Sequence, residues 1–345
     1  MPKIVFAIML VILIVSCSPV PVSIPATAKA QSTPTRPIPT TVPTITPVPT
    51  ATAPPTPTFT PSPTPSEREI TLMRHEEERR QYLAEQGAAI QIPVLEYHGD
   101  NYYFEYSNGA VVELNPAGFE SQMKWFHENR VHAVTVPELN DWMQGKIELP
   151  ARSVVLTFDI GNGSISAINR IVPVFTNYQM FGIFTIFVDS MNPEESSKCA
   201  NDICWQAYRN AYLSGYVDIG SHTMTHRDFA TLTESEGLAE LAISKNIIEE
   251  KIGNGCVVNT LTWPFESIPD WGPNISSIGF LTAFGGNTYP ILENTIWRDK
   301  PEDYYKLPRI LPPGSHGISG RPNNKTLLQI MQMYTLANSN SGGWK

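Results

Sequence analysis

Three short runs constrain the fold most: Ser153-Val-Val-Leu-Thr-Phe158, Gly182-Ile-Phe-Thr-Ile-Phe-Val188 and Val217-Asp-Ile-Gly220. They are nearly continuous in apolar residues and do not alternate with polar ones, which is the pattern of strands buried on both faces of a parallel sheet. Parallel strands need long crossovers, usually helices. Asn115-Pro116 offers a capping side chain followed by Pro at the first helical position, with Phe119, Met123 and Phe126 at helical spacing behind it. Thr233 and Glu236 fit a capping box ahead of Leu238, Leu241, Ile248 and Ile252, which share one helical face. Residues 92–97 read as a first strand, 258–263 and 280–284 as later strands, and 325–336 as a final helix. Strands alternating with helices predict an α/β fold, and the length suits one barrel-like domain.

The N-terminal part cannot belong to that domain. Of the 31 Pro, 15 fall between Pro19 and Ser66, together with 13 Thr and no acidic residue. Such a segment has too little apolar surface to fold. Alternating Thr and Pro favours extended polyproline II, and at about 3.1 Å per residue the tract would reach on the order of 150 Å. Ahead of it, Lys3 precedes the apolar run of residues 4–15, which ends in Ile14-Val15-Ser16-Cys17. That run is too short to span a bilayer and reads as a signal-peptide core. Small residues directly before Cys17 resemble a bacterial lipobox, which would make Cys17 a lipid anchor. The expected organisation is therefore a lipoprotein signal peptide at 1–17, a disordered Pro/Thr-rich linker at 18–66, a charged, exposed leading helix at 67–90, and the folded domain at 91–345. The implied location is exported, on the outer face of the bacterial cytoplasmic membrane and held there through the N-terminal lipid only.

Net charge is −9, and since the first 66 residues carry Lys3, Lys29 and Arg36 and no acid, the remainder carries −12. An acidic domain is a poor partner for nucleic acid or anionic lipid surfaces. Cys199 and Cys204 are close enough in sequence for a local disulfide in an exported protein, which would leave Cys256 free. No second Cys pair or Cys/His pair has finger spacing, so a cysteine-based zinc site is not expected.

Candidate chemistry sits at three strand ends. His222 and His226, four residues apart in Ser221-His-Thr-Met-Thr-His226, follow the strand at 217–220. Two unrelated surface histidines would be the bland reading, but the strand end is where α/β barrels place their sites, and imidazole suits zinc and its neighbours. Asp159 ends the strand that starts at Ser153, where it could equally serve as a turn residue before Gly161. His98 ends the first strand.

These blocks together resemble the polysaccharide deacetylases, the NodB-like domain of carbohydrate esterase family 4. The resemblance covers most of residues 91–313. Ile92-Pro-Val-Leu-Glu-Tyr-His98 is similar to the "PVLxYH" opening of the poly-N-acetylglucosamine deacetylase branch. Val154-Val-Leu-Thr-Phe-Asp159 is similar to "VVLTFDDG", and Asp218-Ile-Gly-Ser-His-Thr-Met-Thr-His226 to "EIGSHTxTH". Thr262-Trp-Pro-Phe265 looks like a variant of "AYPYG", and Leu307-Pro-Arg-Ile310 like a closing "LPRI". The resemblance implies a single distorted (β/α) barrel of about seven strands. It also implies metal-dependent removal of N-acetyl groups from an amino-sugar polymer, such as peptidoglycan or a poly-N-acetylglucosamine-like glycan. By position, His222 and His226 match ligands of a divalent metal, usually zinc, Asp159 matches the base, and His98 the acid.

One position departs from the pattern. Ile160 stands where the family has its metal-binding Asp, and Ile has no donor atom. Asp218 and Asp228 lie nearby but are acidic in the intact family too, so neither looks like a replacement. Glu266 stands where Gly is usual in a site-facing motif; it could supply a carboxylate, although it reads first as a surface residue. The alternative implied by Ile160 is a non-catalytic glycan-binding descendant, in which Trp263, Trp271 and Tyr289 could stack on sugar rings or equally be core.

Overall fold

The computed structural model describes residues 64–98, 116–161, 165–192, 197–285, 296–297, 304–312 and 326–334. The signal-peptide run, Cys17, the Pro/Thr tract up to residue 63 and Tyr289 lie outside them. In chain order the elements are α1 (Glu67–Gln86), β1 (Gln91–Ile92), β2 (Val94–His98), α2 (Pro116–Glu128), β3 (His132–Ala133), α3 (Val136–Met143), β4 (Ser153–Ile160), α4 (Ile165–Tyr178), β5 (Gly182–Ile186), α5 (Ile203–Leu213), β6 (Val217–Ser221), α6 (Glu234–Ile252), β7 (Thr260–Thr262), β8 (Thr282–Phe284), β9 (Ile296–Trp297) and α7 (Leu327–Tyr334).

The leading helix is exposed on one side only. Its start is fixed by a capping box between Ser66 and Glu69. Thr71, His75, Arg79, Tyr82 and Gln86 are buried, and steps of three and four place them on one face. That face is polar, and it docks through hydrogen bonds: Gln86 Nε2 donates to the Arg130 carbonyl at 2.8 Å, and Arg152 N donates to Gln86 Oε1 at 3.0 Å. The first strand also differs from expectation. Pro93, which has no N–H to donate, divides it. Ahead of the break β1 pairs antiparallel with β9, and behind it β2 enters the main sheet parallel to β4.

The main sheet has seven strands in the order β2-β4-β5-β6-β7-β8, with β3 also pairing β4, and all its pairings are parallel. Strand alternation sorts its side chains. Val94, Val155, Ile183, Phe284 and Leu307 form one buried cluster on the inner face. Leu95, Tyr97, Leu156, Phe158 and Ile160 belong to the other, packed against helix residues such as Phe119 and Phe175. The segment that carries Leu307-Pro-Arg-Ile310 spans the gap between the two edges of the sheet: Leu307 bridges to Phe284 of β8 and Ile310 to Leu95 of β2, both in parallel sense. The sheet is thereby curled into the expected (β/α) barrel, and Arg309 is placed on its closing segment.

Cys199 and Cys204 form a disulfide, and Cys256 is free and buried. Burial pushes the Cys256 thiol up to about 12, so it stays protonated and inert at neutral pH. No helix among the described residues is long and apolar enough to cross a membrane.

Candidate active site

Register alone brings the first site residues together. His98 of β2 is the parallel partner of Asp159 on β4, Asp159 of Thr185 on β5, and Thr185 of Gly220 on β6. One layer near the carboxyl ends of the strands therefore holds an imidazole, a carboxylate and a hydroxyl. The fourth position must be glycine. A Cβ at Gly220 would lie 2.8 Å from Thr260 Cγ2 and 2.9 Å from Thr185 Cγ2, too close for any side chain.

Asp159 is the most heavily held group. Both its oxygens accept from Arg309 Nη1 at 2.9 Å, and Oδ1 also accepts from Thr185 Oγ1 at 2.9 Å. Burial alone would push this carboxyl up. The charge of Arg309, with His222, His98 and the Thr185 hydroxyl, reverses that and holds it well below the usual carboxylate range. Its Oδ2 lies 3.9 Å from both His222 Nε2 and His98 Nε2.

His222 follows directly on β6, and His226 lies four residues on in a turn where both Thr223 and His226 have positive φ. Their rings meet edge to face at 79°, with the two Nε2 atoms 3.0 Å apart. His222 Nδ1 donates to the Thr262 carbonyl at 3.0 Å, which fixes the tautomer that leaves Nε2 as a lone pair. Burial lowers both imidazoles, His222 to about 4, so both are neutral at pH 7. Neutral imidazoles with convergent Nε2 atoms suit a divalent metal. Two ligands at about 2.0–2.1 Å from a tetrahedral ion stand about 3.3 Å apart, close to the observed separation. Among the described residues no carboxylate completes a compact trio with the pair, so the protein fits such an ion with two side chains and leaves its other positions open.

Ile160 does not supply the missing donor by any rearrangement of its neighbours. It is 1 % exposed and lies on the helix-facing side of β4, opposite to Asp159. An Ile160→Asp variant puts a carboxylate into that apolar layer, and the metal-free protein is expected to lose at least about 2–4 kcal/mol of stability in urea melts at pH 7. Asp218 and Asp228 are held in structural contacts. Asp218 pairs with Arg68 at 2.7 Å and accepts from Val136 N at 2.7 Å, while Asp228 caps a short turn by accepting from Ala230 N.

Three site residues were missed from sequence, and one was misread. Arg309, 1 % exposed, is the centre of the cluster. Its Nη2 donates to Glu96 Oε1 at 3.2 Å, and it ion-pairs with Glu266, with Nε donating to Glu266 Oε1 at 3.1 Å. Glu266 is thus no surface residue: its carboxylate is turned inward. Glu96 lies two residues before His98 on β2, which puts both on the same face, and Glu96 Oε1 is 3.3 Å from His98 Nε2. Thr185 is the third. The signals were available in the closing "LPRI" block, in the i, i+2 relation of Glu96 to His98, and in the Glu266 departure.

Three carboxylates surround one guanidinium, and two oxygens, Glu96 Oε2 and Glu266 Oε2, are buried without a hydrogen-bond partner among the described residues. Burial is the main cause that raises Glu96 to about 7 and Glu266 to about 8, against the lowering effect of Arg309. Both therefore hold a proton in the folded protein that they lose in the unfolded one above the ordinary value of 4.5. Their contribution to stability is full below pH 4.5 and is lost as pH rises towards 8. Asp159 acts in the opposite sense, stabilising above its ordinary 3.8 and losing that as pH falls. Urea midpoints are accordingly expected to decline between pH 5 and 8, and a Glu96→Gln, Glu266→Gln double variant to flatten that decline.

Apart from this site, His75, His132 and Glu138 form a trio that joins α1 to the barrel. Glu138 Oε2 is 3.0 Å from His75 Nε2 and Oε1 3.1 Å from His132 Nε2. The two rings are stacked at 13° with centroids 4.3 Å apart. Their Nε2 atoms therefore point side by side and not at one spot, and Arg79 Nε lies 3.5 Å from the carboxylate. That geometry suits two N–H donors on one carboxylate and not a cation.

Trp263 and Trp271, candidates for sugar stacking, are committed to packing. Trp263 is fully buried with Nε1 donating to the Tyr305 carbonyl at 2.9 Å. Trp271 donates to the Leu232 carbonyl at 3.1 Å and packs so tightly on Gly237 that a Cβ there would lie 2.1 Å from its ring.

Residues 146–272 match the family model described as polysaccharide deacetylase. The match spans Asp159, His222, His226 and Glu266 and leaves His98 and Arg309 outside it. Bacillus subtilis (strain 168) YxkH, whose name assigns it to the polysaccharide deacetylases, is 22% identical over 185 residues, which is 54% of this chain and 61% of YxkH. Among solved structures, the Streptococcus pyogenes deacetylase PplD in complex with acetate superposes with a TM-score of 0.58 at 17% identity, covering 71% of this chain and 99% of PplD. IcaB from Ammonifex degensii gives 0.50 at 22% identity, covering 66% of this chain and 92% of IcaB. These likenesses establish the barrel fold, and within it residues 146–272 are similar to the polysaccharide deacetylase family.

Proposed function

We propose that this chain is an N-deacetylase of an acetylated amino-sugar polymer at the cell surface, a peptidoglycan or poly-N-acetylglucosamine-like glycan. The observation that carries the reading is the convergence of His222 and His226, with Nε2 atoms 3.0 Å apart, beside an ionised Asp159 and the strand-end His98. The chain spans 61% of the length of YxkH, so the activity of that whole protein comes here only as part of the proposal. The leader and Cys17 support an exported lipoprotein, with the Pro/Thr tract as a tether between membrane and domain.

A divalent metal such as zinc would be held by His222 and His226, where it would supply Lewis acidity toward the acetamide carbonyl and a water. The rest is done by the chain. Asp159 stays charged because Arg309 and Thr185 occupy three of its acceptor positions, and its Oδ2 faces the histidines as the proton acceptor for the attacking water. His98 is neutral at rest, lowered chiefly by burial. To protonate the leaving amine it needs a proton, and Glu96, raised to about 7 and 3.3 Å from His98 Nε2, can pass one. The water's oxygen ends on acetate, its abstracted proton on Asp159, and the amine leaves carrying the proton from His98.

The test is acetate release from acetylated glycans by the full chain, with metal content measured by mass spectrometry and His222→Ala as control. About one ion per chain and acetate release in the parent, both lost in the control, support the reading. A parent that takes up no zinc or cobalt and releases no acetate overturns it.

A further inference from the structure

The turn that follows β7 has a feature the reaction does not require. Phe265 is 59 % exposed and sits at φ 58°, ψ 17°, in the left-handed region, and Glu266 follows it at φ 58°. A bulky residue held there is strained and persists only where its surroundings over-determine it. Those surroundings are visible. Trp263 is buried and tied to the Tyr305 carbonyl, Pro264 is buried, and Glu266 is drawn inward onto Arg309. Clamped on both sides, the Phe265 ring is delivered over the site, where it meets the His226 imidazole edge to face at 80° with centroids 4.8 Å apart. Phe187 lies 5.3 Å from the same imidazole. An apolar ring so exposed recovers little by burial, so packing of the ring itself does not account for where it is placed.

We propose that Phe265 is the stacking platform for a pyranose ring of the polymer, seating one sugar beside His226. The inference rests on the deacetylase reading and adds to it the residue that grips the glycan. An exposed aromatic face at a site for sugars fits the apolar C–H face of a pyranose. Trp263 and Trp271 are not free to do this, since both are spent on packing. The turn also assigns a task to Glu266: its ion pair with Arg309 keeps the platform aimed.

Glycine separates this role from a structural one, because a left-handed position favours glycine while the ring is needed only for the ligand. In the full chain, Phe265→Gly is expected to melt at or above the wild-type temperature and to raise KM for an N-acetylglucosamine pentamer about tenfold, with a smaller change in kcat. Phe265→Trp is expected to keep the wild-type KM. A Phe265→Gly chain with wild-type KM overturns the platform, and so does one that melts several degrees lower, which would make the ring structural. If the wild type releases no acetate, calorimetric titration with the same pentamer decides. Binding that weakens about tenfold in Phe265→Gly supports the platform although the deacetylase reading has failed. Binding that is unchanged, or a wild type that does not bind the pentamer, overturns it.

Discussion

Replacing Arg309 with methionine is expected to destabilise the barrel by about 3–5 kcal/mol at neutral pH, the cost of leaving buried charge without its counter-ion. The reason is a count of charges. Among the described residues Arg309 is the one cation in contact with Asp159, Glu96 and Glu266, and all three carboxylates are buried. Methionine keeps most of the volume and removes the charge. The loss should depend on pH in a definite direction. Without the guanidinium the folded carboxyls bind protons still more tightly, so the variant regains stability as pH falls and they become neutral, and it fares worst near pH 8. Paired urea melts at pH 5 and pH 8 check this. A deficit of the same size at both pH values would mean that Arg309 matters for packing and not for charge. A small deficit at pH 8 would show that the cluster already holds enough protons to do without it.

The same cluster shows what a sequence reveals and what it conceals. The strands at 153–158 and 217–220 were legible because a parallel strand buried on both faces has to be apolar nearly throughout, and little else in a chain looks like that. Asp159, His98 and His222 could be singled out because each sits at or directly after the end of a predicted strand, and His226 because it follows His222 by four residues. Arg309 was not, although its block was noticed. It lies far along the chain from its partners, and its role exists only once Leu307 and Ile310 bridge the opposite edges of the sheet. Glu266 was read as a surface residue because a lone Glu usually is one, and only a left-handed backbone turns its carboxylate inward. The leading helix failed for a related reason. Its buried stripe of Thr71, His75, Arg79, Tyr82 and Gln86 has helical spacing but a polar character, and a search for apolar periodicity passes over it. Polar residues that find their partners on another element carry no signature of burial in their own composition.

Ile160 illustrates a different limit. The substitution was visible from the start and suggested a lost function. The structure places this side chain on the helix-facing side of β4, filling apolar space, while Asp159 points the other way into the site. The convergent histidines, with the His222 tautomer fixed by Thr262, and the raised carboxyls around Arg309 are all in place. Buried ionisable groups held at such values cost stability, and a chain without a reaction to run would gain by replacing them with apolar residues. On the proposed deacetylase reading, position 160 bears on the tightness of metal binding, and the groups proposed to move protons are retained.

Asp159→Asn tests that conclusion most sharply. Asparagine is nearly isosteric and its Oδ1 can still accept from Arg309 and Thr185, which now hold the carboxylate at 2.9 Å. Arg309 keeps Glu96 and Glu266 as counter-ions. With one negative charge removed, both glutamates should also titrate lower, because Asp159 is among the groups that raise them. The fold is thus expected to survive, with a melting temperature within a few degrees of wild type. Catalysis is not, because an amide oxygen cannot take a proton from water. Loss of the acceptor is expected to lower kcat by about 10²–10⁴-fold, the usual worth of general-base catalysis, with bound metal unchanged because His222 and His226 are untouched. Acetate release, metal content and melting temperature measured on one preparation separate the possibilities. Activity within tenfold of wild type would remove Asp159 from the role of base and pass it to Glu96, the other ionisable carboxylate in contact with His98. Loss of metal together with activity would mean that Asp159 itself is the third ligand and that the carboxylate missing at position 160 has been replaced from one residue earlier in the same strand.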